Sequence, residues 1–205
     1  RWWELANALG GRSLAPPVVR FGQAQLPPPL TKTRPRIVLH PFSAIAERET
    51  APEVFIAIAE AYALSHEIVL SAGPGDLERA PRHRTLAELP WVSLDQSDFA
   101  GKAALVRSAD LVVSVDTSLM HLAAGSGVPT LCLASAAHIV DSIPYDSQIA
   151  PPNVRFEVPE IDCAGCLGQC IHPLENGRYL CLSQITPARA LAAARDMLER
   201  QAGVG

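Results

Sequence analysis

Between Arg36 and Ala134 the apolar residues fall in short dense runs, separated by stretches with a helical repeat. The runs are RIVLH (36–40), EIVLSA (67–72), DLVVSVD (110–116) and PTLCLA (129–134), with a weaker one at WVSLD (91–95). Continuous Val/Ile/Leu runs of this length suit strands buried on both faces. APEVFIAIAEAYALS (51–65) between them predicts an amphipathic helix, with Val54, Ile58 and Ala61 inward and Glu53 and Glu60 outward. SDFAGKAALVRSA (97–109) and SLMHLAAGSG (118–127) predict two more helices. Strands alternating with helices predict an α/β fold: a parallel sheet covered on both faces and wound by right-handed crossovers.

The flanks read differently. RWWELANALGG (1–11) predicts a helix with Trp2, Trp3, Leu5, Ala6 and Leu9 on one stripe, ended by Gly10-Gly11. The next segment carries Pro16-Pro17 and Pro27-Pro28-Pro29, a stiff extended connector. Residues 1–35 are therefore expected to be a helix and a linker, and residues 36–205 a domain. Beyond Ala134 the alternation breaks into a Pro-rich loop and then a cysteine-rich segment, 163–181. TPARALAAARDMLERQ (186–201) predicts a closing helix, with Thr186 as N-cap and Pro187 at its first position.

Composition narrows the function classes. A chain of 205 residues with 48% hydrophobic residues suffices for one well-buried domain. Its formal net charge of −4 supplies no basic field, so nucleic acid is not an expected partner. No apolar run approaches the ~20 residues of a membrane span. Five cysteines, an odd count, argue against a fully paired secreted scaffold and for a reducing, cytoplasmic compartment. No signal peptide is visible, although the chain opens at Arg1 without a Met and reads as a fragment.

The chemistry concentrates at the ends of strands. In open α/β sheets, ligands bind beyond the carboxyl ends of the strands. Asp116, Thr117 and Ser118 stand at such an end, directly before a helix. A helix amino end offers free N–H groups and a positive dipole end, which suits phosphate. Thr117 and Ser118 add hydroxyls, Asp116 can accept from a sugar or orient the turn, and His121 lies three residues into the helix. The plain alternative is an N-cap followed by a half-buried histidine. A second turn, HPFSAIAERETAPE, carries Ser43 and Arg48 after the first strand. An arginine there can grip a diphosphate with two hydrogen bonds; otherwise it is a solvated member of a charged run. A third turn, SAGPGDLE, places Asp76 where an acid can hold ribose hydroxyls. Its alternative is a Gly-Pro turn capped by its own aspartate. Three such turns together read as a nucleotide-sugar site. Neither GxGxxG nor a Walker A motif is present, so neither a dinucleotide fold nor a P-loop is supported.

ADLVVSVDTSLMHLAAGSGVPTLCL resembles the signature of the ADP-heptose:lipopolysaccharide heptosyltransferase family, glycosyltransferase family nine. The resemblance runs from about Arg36 to the end of the chain, and RWWELANALGG is similar to the helix before that family's interdomain linker. It implies the GT-B fold, two Rossmann-like halves with the active site between them, of which this chain is the carboxyl-terminal, donor-binding half. By similarity, Ser43, Thr117 and Ser118 contact the donor diphosphate, and Arg48 stands where the family usually has lysine. Asp76 lies near the adenosine ribose, while Asp116 and His121 face the donor sugar and diphosphate. Ser118 departs from the family pattern, which has glycine there, so a Cβ and a hydroxyl enter where backbone usually approaches the ligand. A full enzyme of this type is roughly twice as long. The acceptor half, with the family's base, is outside the chain, so no catalytic residue is expected in it and the chain alone should be inactive.

CAGCLGQCIHPLENGRYLC holds Cys163, Cys166, Cys170 and Cys181, with His172 as a spare ligand. Four thiolates within nineteen residues can close a tetrahedral zinc or iron site; free thiols and disulfides are the other outcomes. Cysteine-rich segments also occur in heptosyltransferases, and the related group that glycosylates autotransporters carries an iron-binding cysteine finger. Cys132, inside a strand, reads as plain core. The resemblance thus implies an inverting transfer of heptose from ADP-heptose to a lipopolysaccharide core sugar or a protein hydroxyl, with no cofactor required for transfer. It implies an ADP-sugar donor as partner and is compatible with peripheral membrane association. The competing expectation is a non-catalytic nucleotide- or metal-binding module, since the chain alone lacks a base.

Overall fold

The computed structural model describes residues 7–10, 19–22, 25–139 and 141–202. Residues 7–10 are helical; the rest of the expected first helix, with its Trp2-Trp3 stripe, lies outside the described residues.

Six parallel strands form one sheet: β1 (Arg36–His40), β2 (Glu67–Ser71), β3 (Val92–Asp95), β4 (Leu111–Ser114), β5 (Thr130–Leu133) and β6 (Val154–Glu157). Their order is β3-β2-β1-β4-β5-β6. Val38 pairs with Val69 on one side and Val112 on the other, so β1 is central and meets neighbours on both edges. Its alternate residues feed two cores, as the period of two requires. Ile37 and Leu39 face the layer made by α1 (Pro52–Tyr62) and the closing helix, while Val38 faces the opposite layer. The closing helix, α6 (Pro187–Ala202), follows α2 (Asp76–Arg79), α3 (Arg84–Ala87), α4 (Phe99–Arg107) and α5 (Ser118–Gly125) in the chain. It buries Ala190, Ala193, Ala194 and Met197, and its small residues let it lie close to α1. On the other face, Ala103, Leu105 and Val106 of α4 and Leu119 and Leu122 of α5 cover Val38, Val69 and Val112.

The helix starts follow local chemistry. Asp98 caps α4 by accepting from the Gly101 N–H at 2.8 Å. Thr186 caps α6 as expected, its hydroxyl accepting from the Arg189 N–H at 3.2 Å. Gly75 opens α2 at φ +76°, a left-handed turn that a residue with a Cβ adopts only under strain.

The sheet departs from the sequence reading at two points. Val154–Glu157 lies in the stretch expected to be loop, yet it is the edge strand β6, pairing along β5. Its VRFE pattern alternates strictly but over only four residues, and it carries two charges. Those charges are satisfied within the fold, Arg155 by Glu157 and Asp196, and Glu157 by Arg189. Ala61, expected inward, is exposed; Phe55 and Ala59 take the inward positions with Val54 and Ile58. The buried stripe of α1 is set by where α6 and the sheet lie, not by the spacing of alanines. Cys132 is fully buried on β5.

Candidate anion-binding site at the carboxyl edge

The order 3-2-1-4-5-6 reverses direction between β1 and β4. Loops leaving those two strands diverge to opposite faces and leave a crevice outside the carboxyl ends. A cavity of about 350 Å³ lies there, lined by His40, Phe42, Ser43, Arg48, Asp76, Arg79, Asp116, Thr117 and Ser118 among others. A second cavity of about 270 Å³ adjoins it, sharing His40, Asp76 and Ser118 and adding Gly73, Pro74, Asp98, Phe99 and Lys102. Six of the seven donor-site residues expected from the sequence therefore line one space, and His121 reaches the same place through Asp116.

The chain builds the site from three turns. After β1 the backbone forms a 3-10 turn, Ala46–Arg48. Ser43 is buried there, its N–H donating to Glu49 Oε1 at 3.1 Å and its hydroxyl accepting from the Ile45 N–H at 3.2 Å. Glu49 is itself fully buried, with His83 Nε2 at 3.2 Å and Arg82 Nε at 3.7 Å, so the turn is fastened from beneath. Arg48 reaches across to Asp116 and pairs with its Oδ2. After β2, Asp76 holds its own turn: Oδ2 accepts from the Gly73 N–H at 2.6 Å and Oδ1 pairs with Arg79 at 2.9 Å. The capping role raised as its alternative is real, and the residue still fronts both cavities.

The third turn joins β4 to α5. Thr117 stands at the N-cap position but makes no capping hydrogen bond; its hydroxyl lies 3.4 Å from that of Ser114. The first N–H groups of α5 therefore have no side-chain partner from Thr117 and lie beside the cavity that Thr117 and Ser118 line. Ser118 is exposed between the two cavities. His121 Nε2 lies 3.4 Å from Asp116 Oδ1, and its Nδ1 lies 2.5 Å from the Tyr145 hydroxyl. Burial works against the Asp116 carboxylate, but the hydrogen bond from His121 and the Arg48 guanidinium outweigh it, leaving its pKa below the usual 3.8. Asp116 is thus an anion tied to a cation, with the amino end of a helix beside it.

Three residues of the site carry no obvious signal in the sequence. His40 ends β1 on the floor between the cavities, with Nδ1 2.8 Å from the Ser71 carbonyl oxygen. Burial pushes its imidazole below the ordinary 6.5, against weaker raising influences from Ser71 and Asp76. As pH falls below 6.5 the unfolded chain binds a proton that folded His40 resists, so stability is full above that pH and declines below it. The melting temperature is expected to fall less on acidification in His40→Gln than in the wild type; identical acid slopes would remove His40 as the cause. Arg79 adds a second guanidinium to the first of these cavities, and its i,i+3 spacing from Asp76 is at most a weak signal. Tyr145 comes from the loop before β6, and only the folded chain brings it to His121.

The cysteine segment packs beside this site. The Tyr179 N–H donates to the Glu47 carbonyl at 2.9 Å, which ties the segment to the turn bearing Arg48. Gly165 and Leu167 donate to the Ala136 and Ala137 carbonyls on the other side. All five cysteines are free thiols. Among the described residues, one group of three donor atoms falls within 4.8 Å of one another: Asp162, Cys163 and His172. Cys166 and Cys170 lean on the core and Cys181 is buried, outside that trio.

A larger cavity of about 800 Å³ lies at the opposite edge, by the amino ends of β5 and β6. Its walls are Pro129, Pro152, Val154 and Met197, and its charges, Arg155, Asp196 and Arg200, pair with one another. It lacks unpaired polar groups converging on a ligand, so size alone does not make it the site. No helix among the described residues is long and apolar enough to cross a membrane.

Comparison with known proteins places this fold. The chain matches the family model of glycosyltransferase family 9 (heptosyltransferase) over residues 14–150. Comparison with curated proteins by sequence returns no match. Among solved structures, Escherichia coli ADP-heptose lps heptosyltransferase II superposes with a TM-score of 0.59 at 18% identity, over 84% of this chain and 49% of that one. The E. coli heptosyltransferase WaaC with ADP gives a TM-score of 0.58 at 22% identity, over 85% and 47%. The dodecameric iron-containing heptosyltransferase TibC of enterotoxigenic E. coli, in complex with ADP-D-β-D-heptose, gives 0.59 at 14% identity, over 86% and 48%. At these identities the likeness is one of fold, and the chain spans about half the length of each of these proteins. With more than half of this chain matched by the family model and its sheet superposing on one half of such enzymes, the chain belongs to glycosyltransferase family 9, the heptosyltransferases.

Proposed function

We propose that this chain is the donor-binding half of an inverting heptosyltransferase whose donor is ADP-heptose. One observation carries the reading: Arg48 and the uncapped amino end of α5 meet at a single cavity at the switch point of the sheet. A diphosphate in that cavity takes hydrogen bonds from the first N–H groups of α5 and from the Arg48 guanidinium, whose five donors can serve a phosphate and Asp116 together. As the sugar–oxygen bond breaks, charge grows on the diphosphate, and these donors are already aimed at it. Asp116 and His121 then face the sugar, Asp116 as an acceptor of its hydroxyls. The adjoining cavity, with Asp76 and Lys102 on its walls, takes the nucleoside. The base that deprotonates the acceptor hydroxyl belongs to the other half of the enzyme, so the complete protein transfers heptose to a lipopolysaccharide core sugar or a protein. The solved relatives bound to ADP and to ADP-D-β-D-heptose support the choice of donor.

The test is a thermal-shift series with nucleotides at millimolar concentration. ADP is expected to raise the melting temperature more than UDP or GDP; equal shifts for all three, or none, would overturn the adenine assignment.

We further propose that the cysteine segment holds a structural zinc or iron ion. Cys163, Cys166, Cys170 and Cys181 are the thiolate candidates, and Asp162 and His172 stand beside Cys163 as oxygen and nitrogen donors. A carboxylate, a thiolate and an imidazole are ligands that zinc accepts, and three of them leave one tetrahedral position for another cysteine. An ion there would brace the segment against the turns it already grips at Glu47 and Ala136. Elemental analysis of untagged protein is expected to find near-stoichiometric zinc or iron. Metal-free protein in which all five thiols titrate would contradict this.

A further inference from the structure

Tyr145 has no place in the donor reading so far, yet it makes the shortest contact to His121. Its ring lies 5.7 Å from the His121 ring, centroid to centroid, and its hydroxyl is 2.5 Å from Nδ1. The tyrosine is held on its other side by an edge contact with Phe156 of β6 at 5.1 Å, and Met120 Sδ lies 4.0 Å from its hydroxyl. The far nitrogen of His121, Nε2, faces Asp116 Oδ1 at 3.4 Å, and the other Asp116 oxygen pairs with Arg48.

The proton positions follow from this order. An ionised Asp116 can only accept, so the nitrogen facing it must carry the hydrogen. In the uncharged ring Nδ1 is then a bare acceptor, and a donor must stand opposite it. Tyr145 is that donor. Burial, aided by the Asp116 carboxylate, pushes its hydroxyl up to about 12, so it keeps its proton across the working range. Tyr145 then donates to His121 Nδ1, the His121 Nε2–H faces Asp116 Oδ1 in a longer ion-pair contact, and Arg48 pairs with the same carboxylate from the far side.

We infer that Tyr145 is a positioning residue of this site: its hydroxyl fixes the His121 ring with Nε2–H aimed at Asp116, and so holds the carboxylate that sets Arg48. Only the effect on nucleotide affinity rests on the donor-site reading; the ring geometry does not.

The test uses the 205-residue chain, uniformly labelled with nitrogen-15, at mildly alkaline pH. Long-range proton–nitrogen correlation reports both ring nitrogens of each histidine, and the His121 signals are the ones lost in His121→Asn. Wild-type His121 is expected to show a protonated Nε2 and a bare, hydrogen-bonded Nδ1. In Tyr145→Phe, which keeps the packing on Phe156, the Nδ1 signal is expected to move to the position of an unbonded nitrogen. ADP affinity is expected to fall about two- to tenfold, the effect of one neutral hydrogen bond. A wild-type Nδ1 that carries the proton overturns the inference whether or not the variant folds, and so do identical Nδ1 signals in both proteins. A moved Nδ1 signal with equal ADP affinity in both proteins overturns the link to the nucleotide, and absent ADP binding in both overturns the donor reading instead.

Discussion

Replacing Phe55 with alanine is expected to lower the unfolding free energy by about 3–5 kcal/mol, the usual loss for a fully buried phenylalanine. Phe55 is completely buried on α1, in the cluster that joins Ile37 and Leu39 of β1 to the alanine face of α6. Its ring also meets the edge of His83 at 6.3 Å, and His83 supports Glu49 beneath the Ser43 turn. The alanine face of α6 cannot expand to fill the space, so the loss belongs at the upper end of the range. Against a total stability of roughly 5–15 kcal/mol this is a large fraction. Denaturant titration measures it, and a change within the scatter of ordinary surface substitutions, about 0.5 kcal/mol, would show that this layer is not the packed core described.

Arg48→Ala is expected to weaken ADP binding by about 1.5–3 kcal/mol, the contribution of a hydrogen bond to a charged group, which is roughly ten- to a hundredfold in Kd. The side chain is mostly shielded and already turned toward the cavity by Asp116, so little ordering cost is due on binding. Some stability is expected to be lost as well, because the substitution leaves the mostly buried Asp116 carboxylate with His121 alone beside it. Arg48→Lys keeps the charge and loses the fork, so an intermediate loss is expected. Calorimetry at fixed salt separates these cases. An unchanged Kd in Arg48→Ala would remove the arginine from the site.

The strands that carry the site were legible because both faces of the sheet are covered. A strand buried on two sides has no polar positions to break its run, and RIVLH and DLVVSVD stand out for that reason. Strand β6 is an edge strand whose charges pair off inside the fold, and an alternation of only four residues gave too little to read. The site was legible where its residues share one turn, as Asp116, Thr117, Ser118 and His121 do. It was not legible where they meet only through the topology. His40 ends a strand like any other residue until the sheet order puts it at the switch point. Tyr145 lies 24 positions from the histidine it touches. Local spacing also left Thr117 and Asp76 undecided between a capping role and a ligand role. In the fold the Thr117 side chain does not cap its helix, and Asp76 closes its own Gly-Pro turn while it fronts both cavities.

The central claim is that a nucleotide diphosphate binds at the carboxyl edge between β1 and β4. Proton–nitrogen chemical-shift mapping of the 205-residue chain during titration with ADP tests it most directly. Saturable shifts are expected to centre on the backbone amides of Ser43 to Arg48 and of Thr117 to His121, with weaker ones at Gly73 to Asp76. Shifts centred on the opposite cavity, at Val154, Arg155 and Met197, or no saturable shift at millimolar ADP, would contradict it.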